Sequence, residues 1–299
     1  VHWVFEPGFF SSQPVRVAAL IGGVVAVVSA VVGVFTIMRG QSFAGHTLTD
    51  VSTAGGAGAL LVGFTPLLGF VGSGVIGAAA MDVIGVQRVR GRDLATGIVL
   101  GAATGLAALF LYLDTTTGAT TGATQQILFG SIFTISGSLV PVVVGLGATS
   151  LCVVAAIYRP LLLSSLSTDV AAARGVPTRL VGVVFMLALA VSVGLSALVI
   201  GSILSTALLI GPAATALRLT SRVGRALVVA AALGVGATWL GILLAYDSYY
   251  WGSSHQALPV SFFIVAVTFA LYLASGAALR RGHGGPAIGG TAASMVAGQ

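Results

Sequence analysis

Nine apolar runs, each about long enough to cross a bilayer, leave this chain few ways to fold. They cover 17–38, 46–67, 68–86, 94–113, 139–158, 180–199, 200–217, 226–246 and 260–279. A helix needs about 20 apolar residues to span the hydrocarbon, where every backbone N–H must find its acceptor within the protein. The chain is therefore expected to be an all-α polytopic membrane protein with about nine transmembrane helices. Two pairs of runs are nearly fused, one at Pro66 and Gly69 and the other around Gly201. If one of these pairs does not fully cross, the count is eight.

The arginines test that count. Arg39 follows the first run, Arg88, Arg90 and Arg92 the third, and Arg159, Arg174 and Arg179 the fifth. Arg218, Arg222 and Arg225 follow the seventh, Arg280 and Arg281 the ninth, and the connections after the even-numbered runs have none. Cytoplasmic connections carry the positive residues, so the N-terminus is expected outside and the C-terminus inside. The 13 basic residues are all arginine. Without a lysine the chain cannot complete a phosphate-binding P-loop, so it is not expected to hydrolyse ATP itself. Arginines placed this way mark topology and give no nucleic-acid surface. The lone Cys152 lies in an apolar run and offers neither a disulfide nor a thiolate cluster, and is expected to be a small buried residue. There is no Ser/His/Asp triad, HExxH or CxxC pattern, and the first residues have neither a basic leader nor a lipidation motif.

Several connections are more than turns. The stretch 114–138 is a Thr/Gly-rich loop followed by an apolar patch too short to span, expected to be re-entrant or interfacial. The stretch 164–179 opens with Ser, Thr and Asp and continues as a short Ala-rich helix, which Gly175 and Pro177 stop. Asp247 and His255 fall in an aromatic outer loop, where surface roles are expected, and 280–299 forms a flexible cytoplasmic tail containing His283. Gly97, Gly101 and Gly105, like Gly69, Ser73 and Gly77, recur at every fourth position, which suits close helix packing in lipid. Asp82 lies near the Arg88–Arg92 cluster, its expected partner.

The chemistry concentrates in 39–58. His46 and Asp50 are four residues apart, and on a helix they share a face. Ionisable side chains at membrane depth are costly unless they line a cavity or find partners. One imidazole and one carboxylate make half of a divalent-metal site.

Three patches resemble the permease subunits of metal-ion ABC importers, the zinc- and manganese-type ABC-3 family. Phe43, Gly45, Leu48 and Gly55 match a family segment close to R-x-x-F-x-G-D-A-L-S-H-A-V-L-P-G, with Arg39 one residue further from the phenylalanine than the pattern's arginine, His46 and Asp50 in exchanged order and Ala54 replacing the proline. GRDLATGIVLG, 91–101, is similar to the family's E-D-T-A-I-G-I-V-L run, and Asp93 there is expected to cap the fourth helix. The third patch runs from Asp169 to Ala216 and resembles the ATPase-joining segment and the V-G-x-L-L…P-A-A-T-A run, with Pro212 inside a span.

The resemblance implies a type II ABC importer-like permease over 1–279, not an enzyme, in the bacterial plasma membrane. It implies that His46 and Asp50 bind a transported divalent ion (Mn, Zn or Fe) and that no cofactor is bound permanently. Asp169, Ala172, Ala173, Arg174 and Gly175, within 164–179, would couple to a separate cytoplasmic ATP-binding subunit. Gly211 and Pro212 would form a kink or gate. The chain would be a homodimer, fed by an extracytoplasmic metal-binding lipoprotein or solute-binding protein. The alternatives are a metal-chelate, siderophore or cobalamin permease and, from another class, an ion-coupled secondary carrier working alone.

Overall fold

With no water at membrane depth to satisfy the backbone, the apolar runs close their hydrogen bonds along helices. The computed structural model describes residues 9, 12–84, 92–117, 122–130, 132–249 and 258–282. All regular structure there is helical: α1 (Gln13–Met38), α2 (Ser42–Leu61), α3 (Pro66–Ile84), α4 (Arg92–Thr117), α5 (Ala123–Phe129), α6 (Val140–Ala156), α7 (Tyr158–Leu166), α8 (Thr168–Ala173), α9 (Thr178–Ile200), α10 (Ser202–Leu219), α11 (Val223–Ser248) and α12 (Val260–Gly282).

Eight of these helices are long and apolar enough to cross a membrane. The ninth long helix, α2, is 20 residues but falls short in apolarity, because Thr47, Thr49, Asp50, Ser52 and Thr53 occupy its first three turns. It starts and ends earlier than the 46–67 expected. The break from α3 lies at 62–65, and Pro66 opens α3 rather than forming the turn. Gly201 does separate α9 from α10, with φ 95. The run 139–158 is shorter than expected: α6 stops at Ala156, and α7 begins a separate helix at Tyr158. The apolar patch after the Thr/Gly loop forms only α5, seven residues long. At the far end α12 continues to Gly282, past the expected boundary at 279, and 283–299, including His283, lie outside the described residues.

Helices α1 and α9 form the interior. α1 packs on α6, α9, α10 and α11, and α9 also packs on α2, α3 and α6. Lipid gives little hydrophobic drive between helices, so small residues and hydroxyl bonds carry the packing. Ser29 of α1 and Ser196 of α9 hydrogen-bond at 3.1 Å, and Ser192 reaches Ser29 at 3.5 Å. Thr36, Thr49, Thr53 and Thr215 return their hydroxyl protons to carbonyls one turn earlier.

The two glycine stripes have different fates. On α3, Gly69 and Ser73 lie against Gly55 of α2; the Ser73 hydroxyl donates to Gly69 O at 2.6 Å, and its oxygen lies 3.0 Å from Val51 O of α2. On α4, a Cβ at Gly97, Gly101 or Gly105 would meet nothing within 4 Å, so that stripe packs on no described helix. Cys152, expected to be buried, is exposed on α6. Asp247, expected at the surface, is fully buried at the end of α11, and His255 lies outside the described residues. Arg179 pairs with Asp82 at 3.5 Å, whereas Arg88 and Arg90 lie outside the described residues. With Arg179 largely exposed, that pair contributes about 0–1 kcal/mol.

Candidate functional site

The turn into α2 fixes how the site helix starts. Gly40 has φ 62, its N–H donates to Ile37 O at 2.9 Å, and Gln41 N–H donates to Thr36 O at 2.8 Å. This pair of bonds is the Schellman arrangement, which needs a left-handed residue that glycine supplies without Cβ strain. Beyond it, Phe43, His46 and Asp50 fall at i, i+3 and i+7 and so share one face of α2. Phe43 is exposed and His46 and Asp50 are half-buried, while Ala44, Gly45, Thr47, Leu48 and Thr49 are buried. The face that carries both ionisable groups therefore opens out of the helix bundle.

Two different helices hold the pair. His46 Nδ1 lies 3.1 Å from Thr206 Oγ1 on α10, with donor and acceptor set by the imidazole tautomer. Asp50 Oδ2 accepts from Thr104 Oγ1 on α4 at 2.6 Å. The Thr104 hydroxyl also lies 2.9 Å from Leu100 O, and its single proton serves the carboxylate, the stronger acceptor. One turn away Ser205 donates to Thr49 at 3.4 Å, a second tie between α10 and α2. Among the described residues no three His, Cys, Asp or Glu side chains come together as a metal cluster. One chain thus brings one imidazole and one carboxylate, with threonine hydroxyls beside each.

The Thr206 side of this face continues into a cavity of about 380 Å³ between α10 and α12, whose lining includes Thr206, Gly211, Thr268, Phe269 and Tyr272. A Cβ on Gly211 would overlap the Thr268 methyl, so this glycine lets α10 and α12 approach. Pro212 is buried inside α10, where its missing N–H leaves the Leu208 carbonyl without its usual helical donor. Arg218 closes the far end of the groove: it hydrogen-bonds the Tyr272 hydroxyl, and its guanidinium carbon lies 3.8 Å from that ring's centre.

The stretch 164–179 forms the end of α7, the short α8 and the turn into α9. Ser167 caps α8 by accepting from Val170 N–H at 3.3 Å, and Gly175, with φ 76, ends it. Ala171 is fully buried, whereas Asp169, Ala172, Ala173, Arg174 and Gly175 are all exposed, beside exposed Leu166 and Val170. Asp93 lies in the first turn of α4, and its side chain is outside the described residues. Sequence reasoning missed Thr104 and Thr206. Each sat in plain view, the first within a glycine stripe and the second within the patch that ends at Ala216.

A model described as the ABC 3 transport family matches residues 11–277. The manganese transport system membrane protein MntC of Halalkalibacterium halodurans is 30% identical over 181 residues, an alignment covering 60% of this chain and 60% of that relative. The manganese import system permease protein ScaB of Streptococcus gordonii is 26% identical over 248 residues, covering 81% of this chain and 87% of the relative. The solved structure of PsaBC from Streptococcus pneumoniae in complex with Fab has the same fold, with a TM-score of 0.76. It is 24% identical, and the match covers 90% of this chain and 92% of that one.

Proposed function

The chain belongs to the ABC 3 transport family, and on that footing we propose that it is the membrane-spanning permease subunit of an ATP-driven importer of divalent metal ions. Manganese is the proposed first cargo, since the relatives named above are manganese transporters. The observation that carries this function is the outward-opening face of α2, where His46 and Asp50 are held by Thr206 and Thr104. Imidazole and carboxylate together accept Mn, Fe or Zn, and a site built to release its ion must bind it weakly.

A polar face at membrane depth cannot look into lipid without cost, so it faces a second copy across a water-filled path. Two copies would set two imidazoles and two carboxylates around the axis. The small-residue face of α4 supports the same assembly. Gly97, Gly101, Thr104 and Ala108 share one face there, and Thr104 is the residue that bonds Asp50. Gly101→Leu is therefore expected to turn the dimer into a monomer with an unchanged unfolding midpoint, read by cross-linking and light scattering in detergent. A dimer that persists in this variant would exclude α4 from the interface.

The exposed α8 surface is the proposed dock for a cytoplasmic ATP-binding subunit, since this chain has no lysine for a P-loop. An extracytoplasmic binding protein would deliver the ion at the opposite end. The packing gathers Arg39, Arg179 and Arg218 at one end, with Ile37 and Met38 beside Leu217 and Val223. That end is the proposed cytoplasmic side of a bacterial plasma membrane, which puts the N-terminus outside and the C-terminus inside.

The test is radioactive manganese uptake. Membrane vesicles holding this chain with its ATP-hydrolysing partner should accumulate the ion only with ATP. The purified chain alone, in liposomes under a proton or sodium gradient, should not. Unaided accumulation would replace the importer with a secondary carrier.

A further inference from the structure

The turn before α2 carries a charged side chain that the metal-binding face does not use. Arg39 ends α1, and its Nη1 donates to Ser164 Oγ at 3.0 Å. Its guanidinium carbon also lies 5.6 Å from the ring centre of Phe185, on α9. Ser164 is buried near the end of α7, and its own hydroxyl proton goes to Leu161 O at 3.1 Å. Both roles of that hydroxyl are filled. After α7 the chain passes through Ser167 alone into α8. Arg39 thus grips the segment on which the proposed ATPase would dock.

On its other side Arg39 is continuous with the site helix. The hydrogen-bonded turn through Gly40 leads to Gln41, which is buried, and Gly45 N–H bonds Gln41 O at 2.9 Å. His46 is the next residue. A turn closed by such bonds has little torsional freedom, so α2 follows the position of Arg39. By contrast, α7 packs on α1, α6 and α9 and α8 on α7 and α9, so this route to α2 does not depend on direct packing between them.

We propose that Arg39 is the positioning residue that ties the α7–α8 segment to α2, so that displacement of α8 by the ATPase reaches His46 and Asp50. This rests on the function proposed above. A charge-assisted bond to a buried hydroxyl is stronger than a neutral one. The planar guanidinium can bond Ser164 and stay over Phe185 together, which an ammonium does less well.

The experiment measures ATP hydrolysis and manganese uptake in the same vesicles, with this chain and its ATPase together, for the parent, Arg39→Gln, Arg39→Lys and Ser164→Ala. In Arg39→Gln, ions moved per ATP should fall about tenfold or more while hydrolysis stays within about twofold, a change in coupling of the usual allosteric size. Arg39→Lys should recover part of the ratio. Ser164→Ala should lower it in the same direction, and it decides the matter if Arg39→Gln does not fold. A ratio unchanged in Ser164→Ala, or uptake and hydrolysis falling in parallel in every variant, would reduce Arg39 to a structural anchor and overturn the proposal. A parent that shows no ATP-dependent uptake would instead overturn the importer itself.

Discussion

Cells carrying His46→Ala or Asp50→Ala, at parental expression, should take up manganese more slowly by about tenfold to a hundredfold, since loss of even an outer-shell partner costs a metal site that much. Each substitution removes half of what one chain offers, and no third His, Cys, Asp or Glu among the described residues stands near enough to compensate. The expectation is sharper for the exchanged pair. His46→Asp/Asp50→His restores the order of the family segment and should retain most of the uptake that the single variants lose. Positions four apart share a face, and each threonine can serve either group. Thr206 can donate to a carboxylate at 46, and Thr104 can donate to or accept from an imidazole at 50. Normal uptake of every tested ion by both alanine variants would remove the site from α2. A dead exchanged variant beside an active parent would show that the order matters, each threonine being matched to one group.

That the pair shares one face was legible in the sequence, because residues four apart on a helix lie one above the other. The threonines holding it were not, because hydroxyl residues in membrane helices usually bond their own backbone. Thr36, Thr53 and Thr215 do so, while Thr104 and Thr206 reach across to another helix. The same limit applies to the glycine stripes. Sequence gives the spacing on α3 and α4 alike but not what faces it, and only the α3 stripe meets another described helix. Helix α2 starts four residues before the apolar run that marks it in the sequence, because the Thr, Ser and Asp residues of its first half lower its apolarity. Arg39 and Ser164 are 125 positions apart, and nothing local announces their bond.

Gly33→Ala should be among the costliest single methyl groups that can be added to the long helices' interior. Gly33 lies where α1 crosses α10, and a Cβ there would overlap the Leu209 carbonyl oxygen. Flexible side chains yield to such a contact, but a helix carbonyl moves only with its helix. Overpacking a well-filled core costs about 1–3 kcal/mol, and a backbone obstacle sits at the upper end of that range. Gly72→Ala on α3 is the control: nothing lies within 4 Å of its Cβ, and alanine's helix preference over glycine favours it by up to about 1 kcal/mol. The unfolding midpoint in detergent should therefore fall by several degrees in Gly33→Ala and hold or rise in Gly72→Ala. Uptake should fall with the first, because α10 pushed away from α1 carries Thr206 away from His46 and Ser205 away from Thr49. Equal midpoints for Gly33→Ala and the parent would mean that α1 and α10 do not cross as closely as the structure has them, and the seat of His46 against α10 would fall with that crossing.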